Sequence, residues 1–118
     1  MKQVRREMSA VSVISALIDF SEEDDLSAAV DIGSFMVVGL LIPTIDSGNV
    51  TFLVCDTLAG TYQDLKKSDA SAVSITAGTG NFAVSADDLT PLAAFRFIKV
   101  KTAVAQTEDR TFKFIVKM

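Results

Sequence analysis

Hydrophobic and polar residues alternate with period two along much of this chain, the signature of half-buried antiparallel strands. The clearest case is 110–117, where Phe112, Phe114 and Val116 alternate with Thr111, Lys113, Ile115 and Lys117. Val50, Phe52 and Val54 share one face of a strand predicted over 50–56. Residues 35–42 (FMVVGLLI) are almost wholly apolar, and Pro43 closes the run. Eight residues suit a strand, are too few for a lone helix, and fall far short of a membrane span. A run apolar on both faces predicts a strand covered on both sides, by a second sheet or by a partner subunit.

Further strands are expected over 10–18, 27–32, 61–65, 72–76, 82–85 and 94–102. The first of these also matches a helical face, through Val13, Ala16, Leu17 and Phe20. Its β-branched residues and serines favour strand. In 72–76, Val73 and Ile75 face inward. The sequence AGTGNF, with Gly78 and Gly80 around Thr79, reads as a hairpin turn into 82–85. It is not a dinucleotide fingerprint, lacking the third glycine and a following helix. Residues 86–92 (ADDLTPL) suit one helical turn or a tight loop, with Asp87 as its cap. Loops are expected at 43–49, 66–70 and 103–109, with the long connections 43–49 and 86–93 suited to Greek-key crossovers.

Eight or nine short strands at regular spacing predict an all-β fold: an antiparallel two-sheet β-sandwich, jelly-roll-like, with an extended N-terminal arm. Residues 1–20 form that arm or a first strand, and 21–118 form the sandwich domain. The start, MKQVRREMSAVSVISALIDF, is basic and then apolar like an export signal. However, Ser12 and Ser15 interrupt the apolar stretch, and no small-residue cleavage site follows.

At 118 residues and 49% hydrophobic, the chain has the size and apolar content for one domain with its own core. Its net charge of −4 repels phosphate backbones and argues against nucleic acid as a partner. The cations are dispersed. Lys2, Arg5 and Arg6 lie at the N-terminus, Lys66 and Lys67 in a turn, and Lys99, Lys101, Lys113 and Lys117 alternate along two late strands. Alternating lysines mark a solvent face or a guarded sheet edge.

Candidate chemistry is sparse. The chain has no histidine, which removes the commonest general base and metal ligand. Cys55 is the only cysteine, so no intramolecular disulfide forms, in keeping with synthesis in a reducing cytoplasm. Placed within a strand, it is expected to be an inert, half-buried thiol. The acidic run SEEDD at 21–25 lacks the ligand spacing of a calcium loop and reads as a solvated turn. Asp87 and Asp88 are adjacent and point apart, unlike a glycosidase pair held across a cleft. Asp109 and Arg110 read as a structural ion pair. No enzyme activity, cofactor, metal site or membrane association is expected. A carbohydrate-binding sandwich is the competing class, but sugar platforms want exposed Trp or Tyr. This chain has no Trp and only Tyr62.

Several short motifs, taken in order, carry a resemblance. They are Asp31-Ile32-Gly33, Ile42-Pro43, Val50-Thr51-Phe52-Leu53-Val54-Cys55 and Tyr62-Gln63-Asp64-Leu65. After them come Val84-Ser85-Ala86-Asp87-Asp88-Leu89, Phe95-Arg96-Phe97-Ile98-Lys99-Val100-Lys101 and Glu108-Asp109-Arg110-Thr111-Phe112. In order and spacing this series resembles a group of small tailed-bacteriophage proteins over about residues 26–117. The departures fall in loops, at 56–60 and 103–107. The resemblance implies a virion structural protein with a β-sandwich: a capsid decoration (cement) protein, or the base of a head fibre or spike. It further implies the major capsid protein as partner, the capsid surface as location, and a homotrimer at a local symmetry axis. On that reading Phe35, Val37, Leu53, Phe95 and Phe97 are candidates for a subunit interface, and the same residues suit an ordinary core equally well. Lys2, Arg5 and Arg6 are candidates to lie on an acidic capsid surface, or belong to a frayed tail. The alternative on the same resemblance is a tail or fibre component whose sandwich binds a host carbohydrate.

Overall fold

A computed structural model describes residues 11–33, 35–85 and 89–117. Among these residues nine strands follow in order: β1 (Val11–Ile18), β2 (Val30–Asp31), β3 (Met36–Thr44), β4 (Asn49–Cys55), β5 (Gln63–Asp64), β6 (Ile75–Thr76), β7 (Gly80–Ser85), β8 (Phe97–Thr102) and β9 (Arg110–Lys117). A 3-10 turn spans Thr90–Ala94. All strand pairs are antiparallel. One sheet, here sheet A, has the order β1-β9-β3-β7. The other, sheet B, has the order β2-β8-β4-β5, with β6 also on β4. Strands thus leave one sheet and return to the other, the paired Greek-key order of a jelly roll.

The period-two pattern explains which face each strand buries. Phe112, Phe114 and Val116 of β9, and Val50, Phe52 and Val54 of β4, all turn inward and lie at 5% exposure or less. Val37, Leu40 and Ile42 of β3 and Ile98 and Val100 of β8 join them. The rings of Phe52 and Phe114 meet across the two sheets, centroids 6.4 Å apart and planes tilted by 48°, within the range aromatic pairs favour. Leu89 and Leu92, around the 3-10 turn, close the same cluster.

Buried side-chain polar atoms all have hydrogen-bond partners among the described residues. Ser27 Oγ accepts from the Val100 amide at 2.9 Å and donates to the Ala28 carbonyl at 2.9 Å. Gln106, almost fully buried, donates to the Val104 carbonyl and accepts from the Asp46 amide, each at 2.9 Å. Such pairing offsets the cost of removing these groups from water.

Several local expectations change. Of residues 1–20, 11–18 form the strand expected there, in sheet A, and the helical alternative falls away. Pro43 lies inside β3 instead of ending it. The ladder to β9 stops at Leu41, so Pro43 interrupts no pairing on that side, while pairing to β7 runs on to Thr44. The strands expected at 27–32, 61–65 and 72–76 shrink to two residues each, although Val73 and Ile75 do face inward. The turn at Gly78 and Gly80 makes no hairpin. The Gly80 amide donates to the Ala77 carbonyl at 2.7 Å, but β6 pairs with β4 and β7 with β3. The turn therefore passes the chain from one sheet to the other. The strand expected from 94 begins at Phe97, because Pro91 starts a 3-10 turn that holds 90–94. That turn has Leu89 at its cap with no side-chain cap bond, and the expected cap, Asp87, lies outside the described residues.

Candidate interaction surface

The outer face of sheet A carries the largest group of exposed apolar side chains. Register sets its rows. Val11, Lys117 and Met36 form one row, Val13, Ile115 and Gly39 the next, and Ser15, Lys113, Leu41 and Ala83 a third. Val11, Val13, Leu41 and Met36 are between 42% and 58% exposed. Leu17 extends the patch along β1, and a shallow groove beside Leu41 is lined by Pro43, Asn81, Phe82 and Thr111. Residues 35–42 are thus apolar on both faces as the sequence indicates, but only the inner face is covered within one chain. Exposed apolar groups gathered on one face mark an interaction surface, whereas single ones do not.

The charge on this face is one-sided. Its ionisable residues in β1, β3, β7 and β9 are Lys113 and Lys117, with no carboxylate among them, on a chain whose net charge is −4. β9 lies between β1 and β3, and β8 between β2 and β4. The alternating lysines therefore stand on solvent faces of interior strands and guard no edge.

The interface candidates scatter. Val37 points inward and is 3% exposed, and Phe97 is 7% exposed. Both are corrections: each is consumed within the chain and offers no surface. Phe97 lies on the outer side of sheet B opposite Cys55 and Asp31, and the Arg96 guanidinium covers its ring, 5.0 Å from the centroid. Phe35 and Phe95 are half-buried against the core. Leu53 is half-buried on the outer side of sheet B, between Lys99 and Asp64. Lys2, Arg5 and Arg6 lie outside the described residues. Sequence reasoning missed Val11, Val13 and Ile115, whereas Met36 and Leu41 belong to the doubly apolar run 35–42 that it offered for an interface.

Other charged groups are tied into the fold. Arg110 does not pair with its neighbour Asp109. Its Nη2 donates to Asp46 Oδ1 at 2.7 Å, and its Nε to Gln106 Oε1 at 3.1 Å. Asp109 instead accepts from the Phe20 amide at 3.2 Å. Asp109 ends the loop before β9, whereas Arg110 is the first residue of that strand, and each turns to a different partner. The Arg110 hydrogen bond, and then the Thr107 amide and hydroxyl, hold Asp46 below the ordinary carboxylate value. Arg96 grips Asp31 with two bonds of 2.9 Å, which lowers Asp31 in the same way.

In the acidic loop 19–25, Asp19 accepts from the Ser21 amide and hydroxyl, and Asp25 meets Lys101 at 3.2 Å. Among the described residues no three Asp, Glu or Cys side chains gather as a metal would need. Cys55 is buried, with Sγ 3.8 Å from Asp56 Oδ1 and Thr57 Oγ1. Tyr62 donates to the Leu58 carbonyl at 2.9 Å, and the Lys99 ammonium sits 4.4 Å from its ring centroid.

No family model matches the sequence, and no curated protein sequence matches it. Among solved structures it is similar to the crystal structure of SPBc2 prophage-derived protein YomS. The TM-score is 0.55 and the identity 17%, over 93% of this chain and 95% of that one. At that identity the likeness is one of fold.

Proposed function

We propose that this chain is a non-enzymatic structural component of a bacteriophage particle, bound to the exterior of the assembled capsid as a decoration protein. The observation that carries the proposal is the outer face of sheet A. It offers exposed Val11, Val13, Met36 and Leu41 beside two lysines, with no carboxylate among the described residues of its four strands. Such a face suits an apolar surface with an acidic rim, where burial supplies affinity and charge supplies orientation. Two further lines support the reading. The ordered motifs resemble small virion proteins, and the fold matches a prophage-encoded protein over nearly the full length of both chains. The partner is the major capsid protein, and no cofactor enters.

A sugar-binding role draws less support. A sugar platform needs a free aromatic face, and Lys99 already stands over the ring of Tyr62. The test is reconstitution. Purified chain is added to particles of the parent phage made without this gene, and bound protein is separated by sedimentation. Saturable binding at a fixed copy number per capsid is expected. Failure to bind both these particles and their expanded precursors would remove the decoration role.

A further inference from the structure

A strand at the edge of a sheet presents unpaired N–H and C=O groups that template another strand unless something blunts them. Most edges here are blunted. β2, β5 and β6 are two residues each. β7 has six residues, but it opens with Gly80 at φ 78° and Asn81 at φ 68°, left-handed geometry that a regular ladder does not continue. β1 differs from all of them. It runs for eight residues, VSVISALI, without a charge, a proline or a positive φ. Its register with β9 is unbroken from Val11↔Lys117 to Ile18↔Arg110.

The hydrogen bonds show which backbone groups are open. The Leu17 carbonyl accepts from the Ala28 amide at 3.2 Å, so it turns away from β9. Backbone groups alternate sides along a strand, so Val11, Val13 and Ser15 turn theirs the same way. Among the described residues, no backbone group bonds to these three on that side.

We infer that this edge pairs with the same edge of a second copy, antiparallel, about a two-fold axis at Val13. Residues with outward backbone groups must face one another in the new ladder. Val13 then meets Val13 of the partner subunit, and Val11 meets Ser15 of the partner subunit. The side chains of Val11, Val13, Ser15 and Leu17 all stand on the outer face, so the pairing preserves the inner and outer faces of both sheets. Two four-stranded sheets become one of eight, and the two exposed apolar patches become one. β1 has no ionisable side chain, so no two charges of the paired strands repel each other across the seam. Stacking the outer faces of two copies would instead oppose Lys113 and Lys117 to their own counterparts, which disfavours that arrangement. A two-fold pair replaces the trimer that capsid symmetry suggested, and it stands whether or not the protein is a virion component.

The test is sedimentation velocity of the full chain over a concentration series, with thermal melts as a control for folding. Val13→Pro removes an N–H that β9 does not use, so the monomer keeps its sheet. Val13→Lys places a charge at the axis, the usual guard of an edge. Wild type is expected to pass from monomer to dimer as concentration rises. Both variants are expected to stay folded and to associate about tenfold or more less tightly. A wild type that stays monomeric throughout, one that forms a trimer, or a dimer indifferent to both variants overturns the inference.

Discussion

Arg110 Nη2 lies 2.7 Å from Asp46 Oδ1 and joins the start of β9 to the loop between β3 and β4. The arginine side chain is 13% exposed and the aspartate 26%, and Gln106 and Thr107 complete the network. Because Arg110 is mostly covered, removing Asp46 strands a charge, and removing Arg110 strands a carboxylate. Arg110→Ala and Asp46→Ala are therefore expected to lower the unfolding midpoint, and the double variant to lose less than the two losses added. A double-mutant cycle read by urea denaturation checks this.

The same pair sets an acid limit. Asp46 titrates below its ordinary value of 3.8 when folded, so the unfolded chain takes up that proton first. The contribution is fully present above the ordinary value and is lost as pH falls through the lower, folded value. Asp31 and Asp69 are lowered too, by Arg96 and by Ser71 respectively, and add in the same direction. The midpoint is expected to be flat above about pH 5 and to fall below it. Asp46→Asn should flatten part of that slope, and thermal melts across pH measure it.

Phe114 fills the space between the two sheets against Phe52, and both are fully buried. Phe114→Ala is expected to cost about 3–5 kcal/mol, from lost burial and the cavity left behind. Phe114→Leu keeps most of the volume and should cost clearly less. Equilibrium unfolding in urea distinguishes them.

The turn between the sheets depends on glycine at one position more than at another. A Cβ on Gly80 would collide with the Pro43 carbonyl, and the residue has φ 78°. A Cβ on Gly78, at φ 55°, meets nothing within 4 Å. Gly78→Ala is expected to cost about 1–2 kcal/mol for left-handed backbone alone. Gly80→Ala should cost more, since β3 and β7 must separate there, and chemical denaturation of the pair of variants ranks them.

What the sequence shows and what it hides follow from the range of each signal. Side-chain alternation is local, so the inward faces of β4 and β9 are legible in Val50–Phe52–Val54 and Phe112–Phe114–Val116. Strand pairing is set by residues far apart, so the fate of the Gly78–Gly80 turn depends on Pro43 and β3 rather than on the turn itself. The neighbour pair Asp109–Arg110 misleads for the same reason, because the true partner of Arg110 is 64 positions away. Phe97 has the pattern of an exposed residue, but the side chain of Arg96 covers it. The apolar face of sheet A is half legible. Met36 and Leu41 stand in a visibly doubly apolar run, while Val11 and Val13 become its neighbours only through the β1–β9–β3 order.

Substitutions on that face separate binding from folding. Met36 and Leu41 are exposed, so Met36→Glu and Leu41→Glu should leave the melting temperature nearly unchanged, within about 0.5 kcal/mol of wild-type stability. Both place a carboxylate where the capsid's acidic rim is expected, and capsid binding should fall by about tenfold or more. Binding to gene-deleted particles, compared at equal folding, checks this.

The most direct measurement is cryo-electron microscopy of the parent particle with and without this gene. The account predicts density of this jelly roll at repeated positions on the outer capsid surface, with sheet A turned toward the shell, present only when the gene is intact. Capsids identical in the two preparations would contradict it.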